Sequence, residues 1–390
     1  MGIHKFGQAL TEAFFEAERE HRFLVPESDA MRRALNRNLE VFGMKRPTGL
    51  IPIAGGYSDG RGFFDGPADD QAQALISPYP GVFALLRTWN ALSPPERMRH
   101  VLRALHLAHP TWVFCFTSAA ILHGLDISYR LMDAIHIEAD STRCTPAVVR
   151  HTCHPPRCST AYVDGVPVTD LPWTTFSCMR DLSFPFALGI ADGFCRHRIA
   201  ELGDMGIAFD MESQAGRETQ LLVQEVERFQ GCRGIRRVRG IARLANGASE
   251  NGGESYARAV MYEQGVRIPK LQVALPDVLD TGRSFRVDYL WDNLPTQDVA
   301  GELDGEAKTE DPAMLRGKST RDALRAERQR ESRLTALGYA VARFTFADVR
   351  RVRPLVNTLD AFGVPRDVPD GDFLELVGPS RVCKPWVHIR

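Results

Sequence analysis

The sequence predicts an α/β carboxyl-terminal domain, with helices and strands alternating over residues 248–353, behind an α+β amino-terminal part. Two observations predict it. In residues 284–304, SFRVDYLW and VAGELD alternate apolar and polar side chains on either side of a polar turn, the pattern of a β-hairpin. Helix-period stretches flank that hairpin, one over 253–264 stopped by Gly265 and one over 320–337 stopped by Gly338. Short strands over 271–275 and 339–346 complete the alternation, and a length of 390 residues asks for two or three domains.

From the amino terminus, Phe6, Ala9, Leu10, Ala13, Phe14 and Ala17 recur at helical spacing. A second helix opens at Ser28 and runs through MRRALNRNLEVF. Residues 55–69 are rich in Gly, Asp and Pro and read as a loop or insertion, and LISPYPGVFALL then alternates around a Pro-Gly turn as a short β wing. Helices followed by a wing outline a winged helix-turn-helix, so 1–90 is assigned as a helical, winged-helix-like DNA-binding region. Arg32, Arg33, Arg37 and Asn38 lie against phosphates on that reading and form a solvated basic face on the plainer one. Ser93, Pro94 and Glu96 make a capping box for the next helix, which leads to the buried-looking run TWVFCF.

Net charge is -1, so any nucleic-acid surface is local. The chain has no run of eighteen apolar residues, and acids interrupt the apolar residues of its first twenty, which argues against a membrane span or signal peptide and for the cytoplasm. Eight cysteines without a CxxC pair suit buried thiols in a reducing compartment. His151, Cys153, His154 and Cys158 invite a zinc reading. Two prolines and a missing second ligand knuckle favour a surface strand and turn. His123, before Gly124, reads as a helix-end histidine near the last carbonyls.

Residues 185–246 read as helical and mostly polar, with 201–247 a connector. Arg233, Arg236, Arg237, Arg239 and Arg243 recur on more than one face of a helix there. They hold the acidic helix before them, track a phosphate backbone, or divide between the two; Arg236 and Arg237 are assigned to DNA. A second basic patch lies over 315–353, with eleven Lys and Arg against four Asp and Glu, so Arg321, Arg325, Arg328 and Arg343 are assigned to DNA as well. Glu327 and Glu331 offer a salt-bridged surface as the plainer account. Residues 354–390 are left as a tail without a role.

The candidate chemistry sits on the hairpin. Successive strand side chains alternate faces, so Glu302 and Asp304 share one, and Lys308 follows just past the strand. With Asp288 across from them, three carboxylates and an ammonium meet, and the usual compensation for such crowding is a divalent cation such as Mg²⁺. The ion would activate water and shield a phosphodiester, with Lys308 beside the developing charge.

VDYLW over 287–291, GELDGEAK over 301–308 and the basic helix ending in LTALGYAVARFTFADV resemble the PD-(D/E)XK nuclease superfamily, and within it the very-short-patch repair endonucleases. The resemblance covers about the last third of the chain. It implies a restriction-endonuclease-like mixed sheet flanked by helices, Mg²⁺-dependent DNA cleavage, and Asp288, Glu302, Asp304 and Lys308 as the site. It also implies a further metal-site Glu on the preceding helix, the place of Glu254; an acid there also satisfies the helix dipole. Asp304 stands where the superfamily has Lys. TSAAILHGLDI and VDGVPVTDLPWTTFSCMRDL resemble AbiEi-type antitoxins of type IV toxin–antitoxin systems over about residues 25–200, with 91–200 an AbiEi-like α+β region. That resemblance implies a transcriptional repressor with operator DNA and a cognate toxin as partners, and the alternative to a nuclease is such a repressor with its nuclease-like domain inactive. A third class, a protein-interaction role for the charged helices, is distinguished by absence of nucleic-acid affinity.

Overall fold

The computed structural model describes residues 8–41, 44, 46–53, 74–140, 144–145, 147–152, 158–204, 211–280, 282–304 and 320–367. The chain divides into two compact units, the first running to Cys178 and the second starting at Met179.

In the first unit, α1 (Gln8–Arg19), α2 (Asp29–Val41) and the hairpin of β1 (Leu75–Tyr79) and β2 (Val82–Leu85) share one core. Phe14, Leu35, Leu39, Leu75, Phe83 and Leu85 are buried in it. The turn follows from its residues: Pro80 presets one dihedral and Gly81, at φ 81°, supplies the left-handed one. Two helices therefore pack on a two-stranded hairpin, and the 55–69 loop lies outside the described residues. After α3 (Leu86–Ala91), α4 (Pro94–Ala108) starts with the reciprocal cap the sequence predicts, the Ser93 N–H donating to Glu96 Oε2 at 2.8 Å. Next come α5 (Phe116–Leu122), the parallel pair β3 (Ile135–Glu138) and β4 (Val148–His151), and the antiparallel hairpin β5 (Thr160–Val163) and β6 (Val166–Thr169). Asp164 and Gly165 turn that hairpin with both φ positive, 49° and 79°.

Helix α6 (Leu171–Asp181) ends just past the division. The second unit then holds α7 (Phe184–Asp204), α8 (Met211–Glu227), α9 (Ile235–Leu244) and α10 (Gly252–Glu263). The strands β7 (Lys270–Pro276), β8 (Ser284–Trp291) and β9 (Val299–Asp304) follow as an antiparallel meander. Helix α11 (Thr320–Ala336) carries the chain to β10 (Ala340–Thr345), which pairs parallel with β9, and α12 (Phe346–Arg351) and α13 (Arg353–Ala361) close the unit. The sheet is mixed, in the order β10-β9-β8-β7. Ala257, Val260 and Met261 of α10 pack on one face with Tyr289, Trp291, Val299, Ala342 and Phe344. Leu334 of α11 packs on the other with Leu290 and Ala300. No helix among the described residues is long and apolar enough to cross a membrane.

Three expected boundaries move. A break at 200 falls inside α7, and the expected connector is part of the second unit. The reason is a buried ion pair: Asp192 on α7 takes Arg258 on α10 at 2.7 Å on both oxygens, with side chains 0% and 6% exposed. The break at 90 falls within α3. The expected tail begins in α13, whose Leu355 and Leu359 are fully buried in the core beneath the sheet. Their spacing of four places both on one face of a helix.

Candidate functional site

The hairpin carries Asp288 on β8 and Glu302 and Asp304 on β9. Tyr289 pairs with Gly301, Leu290 with Ala300 and Trp291 with Val299, and Asp288 and Glu302 are the next residue on each strand beyond that ladder. Leu290 and Ala300 pack beneath α11 while Tyr289 and Trp291 face α10, but the alternation breaks at Asp288, since Phe285 and Val287 before it also pack beneath α11. Asp288 Oδ2 accepts the Leu303 N–H at 2.9 Å, which holds this carboxylate beside the backbone between Glu302 and Asp304. Gly301 allows the close approach of the strands, since a Cβ there would lie 2.7 Å from Cζ3 of Trp291.

Arginines hold the other two carboxylates. Glu302, buried among sheet and helix, accepts Arg330 Nη2 at 2.7 Å on Oε1 and Nη1 at 3.1 Å on Oε2. Arg330 Nη2 also donates to the Arg286 carbonyl, which fastens the guanidinium over the sheet. Asp304 takes Arg343, with Nε 3.0 Å from Oδ2 and Nη2 on Oδ1. Both are two-point, charge-assisted contacts, and a buried carboxylate such as Glu302 needs one because an uncompensated charge there is costly. Arg343, expected on the edge of a DNA patch, is thus engaged on Asp304.

Glu254 joins the site indirectly. It lies 5% exposed in the first turn of α10, behind the Asn251 cap, and accepts the Glu250 N–H and the Asn251 Nδ2 at 2.8 Å. Gln272 Nε2 reaches from β7 to Glu254 Oε2 at 3.0 Å and to Asp288 Oδ1 at 3.4 Å. Gln272 does so from φ 51°, an uncommon conformation for a non-glycine residue, and so links two acids that share no direct bond. Tyr289 donates its hydroxyl to the Glu254 carbonyl at 2.9 Å. Burial, then the nearby Glu254, push the Tyr289 phenol well up and keep it a donor.

Glu302 and Asp304 are thus each held by an arginine, while Asp288 is tied to Glu254 through Gln272, so the three carboxylates expected to converge are engaged by separate partners. Among the described residues no three of His, Cys, Asp and Glu stand so as to hold a metal ion between them. Lys308 lies outside the described residues, as does the side chain of Arg321. Arg325, Arg328 and Arg236 are exposed on their helices. Arg237 is a correction: it turns inward, where Nε donates to the Met179 carbonyl at 3.2 Å and Nη2 to that of Leu182 at 2.6 Å. Those bonds satisfy the end of α6. Arg239 clasps Glu227 of α8, so the basic helix in part holds the acidic helix before it.

In the first unit, Cys158 is disulfide-bonded, which removes its thiolate from the zinc reading that the sequence disfavours; Cys153 and His154 lie outside the described residues. His151 instead stands with Nε2 2.8 Å from Nδ1 of buried His136, and the ring of Phe116 lies about 5 Å from both imidazoles. The sequence singled out His151 and missed His136, which sits in an ordinary strand pattern. His123 caps α5 and reaches the Thr169 carbonyl at 2.8 Å, the plain role expected of it.

No family model matches this chain, and no solved structure matches it. It is similar to two proteins of Mycobacterium tuberculosis: "Uncharacterized protein MT2308" of strain CDC 1551 / Oshkosh and "Uncharacterized protein Rv2248" of strain ATCC 25618 / H37Rv. Each is 29% identical over 240 residues, which cover 61% of this chain and 76% of the relative.

Proposed function

We propose that this chain acts on DNA, and that its second unit is a Mg²⁺-dependent endonuclease domain of the PD-(D/E)XK kind. One observation carries the reading: Asp288 and Glu302 are the residues next beyond the paired ladder of two adjacent strands, with Glu254 on the preceding helix tied to Asp288 through Gln272. That is the disposition the resemblance implies.

The donor set suits a hard divalent ion. It is all carboxylate, and Mg²⁺ is held by one or two carboxylates with water and substrate phosphate filling the other places, so a cage of three protein ligands is not required. Asp288 and Glu302 would hold the ion, which supplies shielding of the phosphodiester and activation of water. The chain's own residues set the geometry around that pair. The Leu303 N–H and Gln272 aim Asp288, and Glu254, fixed by Asn251, accepts the same Gln272 amide. Exposed Arg325 and Arg328 on α11 would position the duplex backbone without reading bases.

A second reading is favoured by the arginines seated on Glu302 and Asp304: an AbiEi-like repressor that binds an operator, with its nuclease-like domain inactive. The helix-and-hairpin core of the first unit suits the same reading. Supercoiled plasmid incubated with the chain and Mg²⁺ separates the two. Relaxed or linear product that disappears in Asp288→Ala is the expected result. A plasmid retarded equally by both proteins and cut by neither supports the repressor.

A further inference from the structure

The carboxylate that would take a cation is already occupied by a cation of the chain itself. Glu302 is 9% exposed at its side chain and bound at both oxygens by Arg330, which is 25% exposed. A buried carboxylate needs a positive partner, and two are available in principle: a guanidinium or a metal ion. They exclude one another, because Arg330 covers both oxygens and two cations on one carboxylate repel. Arg330 can leave only for another anion of matching shape. A phosphodiester is such an anion, since its two free oxygens accept the guanidinium fork as a carboxylate does. Exposed Arg325 and Arg328 precede Arg330 on the same helix but, five and two positions before it, stand on another face.

We infer that Arg330 is a positioning residue that couples duplex binding to cation binding, exchanging Glu302 for a backbone phosphate and thereby freeing Glu302 beside Asp288. The inference rests on the nuclease reading of the hairpin and deepens it. In the free chain the exchange has not occurred, so Mn²⁺ or Mg²⁺ binds weakly and the carboxylates stay neutralised. With duplex bound, Arg330 serves the phosphate and the acid pair opens. Coupling of this kind is reciprocal, so cation also tightens duplex binding by the same factor. Arg343 on Asp304 repeats the arrangement one residue pair further along β9, at a carboxylate more open to solvent.

The test reads Mn²⁺ binding, not cleavage. Free Mn²⁺ is titrated by electron paramagnetic resonance against the full chain, with and without a short duplex carrying non-cleavable phosphorothioate linkages; duplex alone gives the background. The wild type is expected to gain on the order of tenfold in Mn²⁺ affinity when duplex is added. Arg330→Gln is expected to bind Mn²⁺ tightly without duplex and to gain little from it. Glu302→Gln keeps the fold's hydrogen bond to Arg330 but removes its charge, so it should bind duplex at least as tightly as wild type while losing Mn²⁺. Equal Mn²⁺ affinity of the wild type with and without duplex overturns the inference, as does absence of Mn²⁺ binding in both states or a loss of duplex affinity in Glu302→Gln. Coupling without cleavage of a normal duplex would sink the nuclease reading and leave the exchange standing. Metal-dependent cleavage without coupling would do the reverse.

Discussion

Replacing Asp192 with Ala removes the anchor between α7 and the sheet-bearing part of the second unit. Asp192 accepts Arg258 at 2.7 Å on each oxygen and the Asn246 N–H at 2.8 Å, and Arg258 donates onward to the Leu244 carbonyl at 2.8 Å. Both side chains are buried, so the variant strands a guanidinium away from water. Breaking a buried pair from one side costs about 3–5 kcal/mol. For a unit of this size each kcal/mol lowers the midpoint by about 2–4 °C, so a fall of roughly 6–20 °C is expected. Urea unfolding followed by circular dichroism reads the loss directly. The double variant Asp192→Leu/Arg258→Met replaces the pair with apolar groups of similar bulk and should recover most of the loss, because neither charge is then left alone. A single-variant loss below about 1 kcal/mol, or a double variant as damaged as the sum of two singles, would refute the claim that this pair joins helices and sheet into one unit.

Other outcomes follow from the same contacts. Gly301→Ala places a Cβ 2.7 Å from Trp291 and 3.1 Å from Tyr289, and should destabilise the second unit by about 1–3 kcal/mol in urea unfolding, whereas an exposed Arg236→Ala should leave it unchanged. His136 is held well below the ordinary imidazole range by burial first and by His151 second, so the folded chain keeps it neutral where the unfolded chain takes a proton. Its contribution is fully present above about pH 6.5, the unfolded value, and is lost as pH falls from there toward the folded value. The urea midpoint of the first unit should therefore drop between pH 7 and pH 5, and His136→Asn should flatten that dependence; an unchanged slope would remove His136 from the account. Arg237→Ala loses two bonds to the end of α6 and should lower stability with little effect on duplex affinity, the opposite of what its assignment to DNA implies.

What the sequence shows of the second unit is what local periodicity encodes. The alternation of VDYLW and VAGELD puts Asp288 and Glu302 on adjacent strands but does not show the break in alternation at Asp288, and Gly265 and Gly338, both at positive φ, end the helices where the pattern stops. The capping box at Ser93 and the Pro-Gly hairpin are legible for the same reason: a few adjacent residues determine them. Partners distant in sequence are not legible. Nothing near Glu302 announces Arg330, 28 positions on, and Arg330 is one arginine among many on a basic helix. Gln272 looks like a polar residue on a short strand, and only its positive φ turns it toward Glu254 and Asp288. The boundary at 200 failed because a 21-residue helix with apolar residues on most of its surface crosses it, held by an acid–base pair whose members lie 66 residues apart.

Duplex affinity as a function of salt tests the central claim, that this chain engages DNA, most directly. Fluorescence anisotropy on a labelled duplex, from low salt upward, should show binding whose logarithm falls linearly with the logarithm of salt concentration. Arg325→Ala/Arg328→Ala should weaken binding on all sequences alike and lower that slope by about two contacts. A chain that shows no affinity for duplex at low salt, or affinity indifferent to both arginines and salt, would contradict the account and direct its charged helices to a protein partner.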